Sequence, residues 1–301
     1  MSTPEVGVTL PQFTDDAGVL VEGARRAEAL GFDSIWLFDH LWPLTGGKNR
    51  PVAEGWTTLA WLAAATERIT IGTLVTRSTL RHPAVLAKMA ATVATIAPGR
   101  VVVGLGSGDD LSRAENEAYG LPFFAGPARL EHLGVVADVV RRAWSGDAVT
   151  TTGPYAELRA LPTSPTPKPP PRLWVGGNGV AAVRLAARVA DGWNAWGVPP
   201  ETLAQRIATL AELAGDRWIE PTWGGVVRLA SSDAEAERRL GGRDAGAAVV
   251  GGPNTVVRRL SEVAGAGARH LVLTLPDAAL AGSYELLAEA VLPSLAARAS
   301  A

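Results

Sequence analysis

Short, mostly apolar runs alternate along this chain with longer segments whose apolar residues recur at helical spacing. Residues 6–10 form such a run, rich in β-branched side chains, and 16–30 then sets Leu20, Ala24, Ala27 and Leu30 on one helical face before Gly31. The alternation continues as strand 34–38, helix 56–66, strand 69–75, helix 82–96 ended by Pro98-Gly99, strand 101–105, and helices near 114–119 and 128–144. From 145 to 171 the text changes to turn residues, a hairpin around 149–158 and a proline-rich stretch from 162 to 171. That reads as an insertion or connector within one domain spanning 1–301. Strand 172–175, helix 181–190, strand 192–196, helix 200–214, strand 222–230, helices 233–240 and 253–264, strand 270–274 and a closing helix 283–297 complete the pattern.

Eight strands that are continuously apolar, each followed by a helix, predict a parallel sheet buried on both faces. A (β/α)8 TIM barrel with insertions accounts best for the count, with an open doubly wound sheet as the alternative. At 301 residues and 47% apolar content, one such domain can use the whole chain. A net charge of -2 without a dense basic cluster argues against nucleic acid as a partner and for a small molecule. The absence of cysteine removes disulfides, thiolate metal sites and cysteine nucleophiles, and no His/Asp/Glu spacing points to a metal. The start lacks a signal-peptide pattern and no stretch offers about 20 uninterrupted apolar residues, so no membrane association is expected and the expected location is cytoplasmic.

In a barrel the chemistry sits at the C-terminal strand ends. Strand two delivers Asp39-His40, strand three Val75-Thr76-Arg77, strand four Gly106-Ser107-Gly108-Asp109, strand five Gly176-Gly177-Asn178-Gly179, and strand six Trp196. His40 is a candidate acid or base because an imidazole titrates near neutrality, while Asp39 reads equally as a capping residue or a ligand contact. His82 reads as a helix-start residue, His132 as a helix-face residue and His270 as a strand residue. Trp42 and Trp196 are the tryptophans best placed to line a pocket. The Gly176–Gly179 turn opens a helix, so unpaired N–H groups and the positive dipole end meet there, as an anion requires. Gly251-Gly252-Pro253 also opens a helix, and spacing alone does not rank the two turns. The dinucleotide fingerprint fails at Asp109, where its third glycine is required, and neither a P-loop triplet nor a Gly-X-Ser-X-Gly elbow occurs.

Four motifs in order resemble the luciferase-like monooxygenase superfamily, and within it the oxidoreductases dependent on the deazaflavin coenzyme F420. They are Gly31 to Trp36 with Asp39-His40-Leu41; Arg68 to Thr76 with Arg81-His82-Pro83-Ala84; Gly99-Arg100 with Gly104 to Gly108 and Tyr119-Gly120; and Trp174 to Gly179 with Ala190 to Trp193. The resemblance implies a barrel holding a flavin-shaped ring at the strand C-termini and a non-prolyl cis peptide near Leu74-Val75. It implies that the cofactor phosphate lies on Gly177, Asn178, Gly179 and the helix start Val180-Ala181, with Gly176 beside it and Thr76, Ser107 and Gly108 opposite, which ranks this turn above Gly251-Gly252. It assigns ring contact and proton transfer to Asp39 and His40, with a homodimer and a separate reductase or F420-reducing dehydrogenase as partners. Two positions depart from that pattern: the family's glutamate after the strand-four glycines is Asp109, and its aromatic after the histidine falls on Leu44, with Trp42 as a substitute. No lysine follows Lys168, so the sugar-phosphate-binding lysines are missing and another small organic substrate is expected. The resulting expectation is hydride transfer between coenzyme F420 and that substrate, with His40 and Asp109 catalytic. An FMN-dependent monooxygenase and a non-catalytic flavin-binding barrel are the alternatives.

Overall fold

A computed structural model describes residues 3–43, 47, 49–276 and 282–300. In chain order its elements are β1 (Glu5–Thr9), α1 (Gly18–Ala29), β2 (Ser34–Leu37), α2 (Gly55–Ala65), β3 (Thr70–Arg77), α3 (Pro83–Ile96), β4 (Val101–Gly106), a 3-10 turn (Asp110–Ser112), α4 (Arg113–Ala118) and α5 (Pro127–Ser145). Then come β5 (Val149–Thr151), β6 (Leu158–Leu161), β7 (Arg172–Gly176), α6 (Val180–Val189), β8 (Gly192–Trp196), α7 (Pro200–Ala214), β9 (Glu220–Leu229), α8 (Asp233–Leu240), β10 (Val249–Gly251), α9 (Pro253–Gly265), β11 (His270–Thr274), α10 (Ser283–Ala290) and α11 (Leu292–Ser300).

The parallel strands run in the order β9, β11, β1, β2, β3, β4, β7, β8, and β8 pairs back onto β9, which closes the barrel. Closure decides against the open sheet. β5 and β6 form the expected antiparallel hairpin, and β10 extends the C-terminal half of β9 outside the ring. The expected single closing helix is two, α10 and α11, broken at Val291. Pro293 explains the break, because it lacks the N–H and crowds the preceding turn, and is tolerated in the first turn of α11.

The sheet is covered by helices, and its outer core packs Ile35, Leu37, Ile71 and Val103 against Leu59, Leu62, Ala90 and Val136. Each fully buried aliphatic side chain contributes about 1.5 to 3 kcal/mol of hydrophobic stabilisation. A second cluster fills the barrel lumen: Trp36, Leu74, Val102, Trp174 and Val272, with the two indoles stacked at 4.6 Å. Among the described residues no helix is long and apolar enough to cross a membrane.

Candidate active site

Between Thr73 and Thr76 the register of β3 against β4 slips, and the Leu74-Val75 peptide there is cis, as the resemblance implies. The Val75 side chain is seated on three glycines of the neighbouring strands. A Cβ built on Gly106 would lie 2.3 Å from Val75 Cγ2, one on Gly176 2.9 Å from Cγ1, and one on Gly104 3.2 Å from Cγ1. The glycines of β4 and β7 are therefore required for close approach and shape one wall of the barrel mouth.

Asp39 and His40 follow β2 and separate into two networks. Asp39 is fully buried and its carboxylate takes both terminal nitrogens of Arg81, at 2.5 and 3.0 Å. Arg81 also pairs with Glu54, the N-cap of α2, which accepts from the Trp56 and Thr57 amides. Burial pushes the Asp39 carboxyl above its ordinary range, against the Arg81 bonds that pull it down. Asp39 is thus an ion-paired anchor beneath the mouth. His40 turns to α4, and its Nδ1 lies 3.1 Å from Oε2 of Glu115, a carboxylate with no exposed side-chain surface.

Glu115 is the centre of this second network. Its Oε1 accepts from the Leu41 amide and lies 2.9 Å from Arg77 Nη2, close enough for an ion pair although off the line of a hydrogen bond. Arg77 Nη1 donates to Asn116 Oδ1 at 2.8 Å, and Asn116 Nδ2 in turn donates to Thr79 and to the Pro122 carbonyl. Burial acts to raise the Glu115 pKa, but the hydrogen bonds from His40 and Leu41 and the Arg77 charge outweigh it and hold the carboxyl below its ordinary value. An ionised carboxylate can only accept, so it favours the His40 tautomer with its proton on Nδ1 and leaves Nε2 without one.

Asp109, the expected acidic partner, does not occupy that place. Its Oδ1 accepts from the Ser112 amide and hydroxyl, at 3.1 and 3.0 Å, as the cap of the 3-10 turn. Thr76 is corrected likewise: it is fully buried, accepts from Trp56 Nε1 at 2.9 Å and donates to Thr73, so its hydroxyl faces the core. Ser107 and Gly108 stay partly open at the mouth, with Gly108 at φ +70°.

At the end of β7 the turn offers fewer free donors than the sequence suggests. The Gly177 amide is taken by the Asn194 carbonyl at 3.0 Å. The Asn178 side chain clasps the Trp196 backbone, accepting from its amide at 2.8 Å and donating to its carbonyl at 2.9 Å, which ties the turn to the end of β8. Gly179 then caps α6 without a side-chain acceptor, and Asn178 through Ala181 are exposed. The first N–H groups of α6 are open, so a phosphate fits here. The competing turn is occupied: Asp233 accepts from the Gly252 amide at 2.7 Å and from Thr255 Oγ1 at 3.0 Å.

Aromatic rings line the mouth. Phe38 packs edge-on to Trp196 at 5.9 Å and stacks on Phe13 at 6.4 Å, and Trp42 meets Tyr119 at 6.3 Å. Leu44 lies outside the described residues. His82 caps α3, accepting from the Ala84 amide. Sequence reasoning missed Glu115, Arg77 and Asn116 as a group, because no local spacing links residues 75 and 39 positions apart. Arg81 belongs to the Arg81-His82-Pro83-Ala84 motif, and only tertiary contacts set it against Asp39 and Glu54.

The luciferase-like monooxygenase family model matches residues 1–246. An F420-dependent glucose-6-phosphate dehydrogenase of Beutenbergia cavernae is 34% identical over 90% of this chain and 91% of its own. An F420-dependent hydroxymycolic acid dehydrogenase of Mycobacterium tuberculosis is 37% identical over 64% of this chain and 54% of its own. Among solved structures, an F420-dependent secondary alcohol dehydrogenase in complex with an F420-acetone adduct aligns with a TM-score of 0.85 at 22% identity, covering 98% of this chain and 99% of that one. The match across most of the chain, on a closed barrel, shows that the chain belongs to the luciferase-like monooxygenase family.

Proposed function

We propose that this protein is a coenzyme F420-dependent oxidoreductase acting on a small alcohol or carbonyl compound. The observation that carries the reading is the His40–Glu115 pair at the barrel mouth, which leaves His40 Nε2 to exchange a proton with substrate. The names of the relatives at 34% and 37% identity support the cofactor.

The bound deazaflavin would supply a carbon that accepts or donates hydride. Its phosphate would be held by the exposed first turn of α6 at Gly179, Val180 and Ala181, with Ser107 and Gly108 across the groove, and Val75 behind its ring. Gly176, Gly177 and Asn178 act by shaping that seat, Asp39 and Thr76 by fixing the strand ends beneath it. When an alcohol is oxidised, neutral His40 takes the hydroxyl proton on Nε2, and Glu115 stabilises the imidazolium that forms; in the reverse direction His40 returns the proton to the carbonyl oxygen. Asp109 orients the loop through its cap on Ser112. Trp42 and Trp196, with Phe38, provide an apolar wall that favours an uncharged substrate over a sugar phosphate.

The test is binding before turnover. Apoprotein titrated with coenzyme F420 and with FMN, followed by tryptophan fluorescence, is expected to bind the deazaflavin more tightly; tighter FMN binding sinks the cofactor assignment. His40→Ala is expected to keep that affinity and lose about 10²- to 10⁴-fold in turnover of alcohol or ketone substrates. A homodimer is part of the same reading, supported by an apolar face on α2 and α3 where Trp61, Val85 and Ile96 are exposed. Trp61→Glu is then expected to shift the mass measured by light scattering from dimer to monomer.

A further inference from the structure

At the opposite, N-terminal end of the barrel, His270 is fully buried on β11 while Glu5 of β1 and Glu220 of β9 start the two strands beside it. Among the described residues this is the one place where three histidine or carboxylate ligand atoms converge, all within 4.8 Å of one another. We propose that His270 Nδ1, Glu5 and Glu220 form a binding site for a divalent transition metal of the zinc class on the barrel floor, separate from the mouth.

The geometry favours an ion over a simple ion-paired histidine. Nδ1 lies 3.0 Å from Glu5 Oε2 and 3.8 Å from Glu220 Oε1, off the line of a hydrogen bond to either, although against its burial the two carboxylates still hold the imidazole above its ordinary pKa. A buried ring nitrogen is seldom left so. Tetrahedral bonds of about 2.0 to 2.2 Å place neighbouring ligand atoms about 3.4 Å apart, and the two histidine–carboxylate separations bracket that value.

The surroundings are those of a ligating imidazole. Nε2 lies 2.6 Å from Ser34 Oγ, which also accepts from Trp36 Nε1 at 2.7 Å, so the far side of the ring is held in place. Such an outer contact directs Nε2–H to Ser34 and turns the Nδ1 lone pair to the ion. Arg172 pairs with Glu220 through Oε2 at 3.5 Å, leaving Oε1 toward the histidine. Trp174 Nε1, on a ring 5.2 Å from that of His270, is a second buried donor without a partner beside the same histidine. Glu5 is half exposed, so the floor is open to entry from solvent.

Full-length protein stripped with chelator is titrated with Co²⁺, read by visible absorption, and with Zn²⁺, read by calorimetry, both without cofactor. The expected result is one equivalent bound with a cobalt spectrum of nitrogen and oxygen ligation. Glu5→Gln and Glu220→Gln, checked for fold by circular dichroism, are each expected to weaken binding at least tenfold. No stoichiometric binding by the wild type, or wild-type affinity in either variant, overturns the site.

Discussion

Glu115 Oε2 stands 3.1 Å from His40 Nδ1, joining a helix after β4 to the end of β2 across 75 residues of chain. On the proposed function the pair sets which nitrogen of the histidine faces substrate, and it is itself held by the Arg77 charge. On that reading Glu115 is therefore a positioning residue whose replacement affects rate.

Glu115→Gln keeps the shape of the side chain and removes its charge. Turnover is expected to fall about 10- to 100-fold, by analogy with outer-sphere partners of ligating histidines. The loss is expected in kcat with KM little changed, because Glu115 holds His40 and does not itself reach substrate. Steady-state kinetics check this; a raised KM with unchanged kcat would place Glu115 in substrate binding instead.

The same substitution leaves Arg77 buried beside a neutral partner, so a loss of roughly 3 to 5 kcal/mol in stability is expected at pH 7. The Glu115 pKa is held below its ordinary 4.5 in the folded protein, so the stability it confers is complete above that value and is lost as pH falls through the lowered folded value. Urea unfolding of wild type and variant should give midpoints that differ at neutral pH and draw together as pH falls below 4.5 and through the lowered folded value.

Gly106→Ala would drive a methyl to 2.3 Å from Val75 Cγ2. Overpacking of this kind costs about 1 to 3 kcal/mol, and the displaced Val75 should also weaken coenzyme F420 binding. The double variant with Val75→Ala is expected to recover melting temperature and affinity, and a double variant no better than the single one would show that the contact is not the cause.

Asn178→Ala removes both bonds to the Trp196 backbone while leaving the α6 amides in place. Affinity for coenzyme F420 is expected to drop through a faster off-rate, measured by stopped-flow fluorescence, as the turn loses its tie to β8. An unchanged off-rate would mean that Gly177 and Gly179 hold the turn by themselves.

The alternation of apolar runs and helical faces was enough to place the barrel strands and their helices, since each element's burial is written locally, as a continuous apolar run for a strand and a period of 3.6 for a helix. The glycines that open α6 and flank Val75 were visible for the same reason: a chain that must pass close to something omits the side chain. Closure of β8 on β9, the split of the last helix at Val291 and the register slip at Val75 followed from contacts between distant segments.

At the site, the sequence by itself determined that His40, Ser107, Gly108 and the Gly179 helix start would gather at one end of the barrel, because each follows the C-terminal end of a parallel strand. Tertiary structure alone decided their employment. Asp39 is bound to Arg81, Asp109 to Ser112, Asn178 to Trp196 and Asp233 to Gly252, while the unremarked Glu115 reaches His40. A carboxylate's identity is local, but its partner is whichever donor the packing of helices on strands brings within about 3 Å, and no spacing along the chain encodes that.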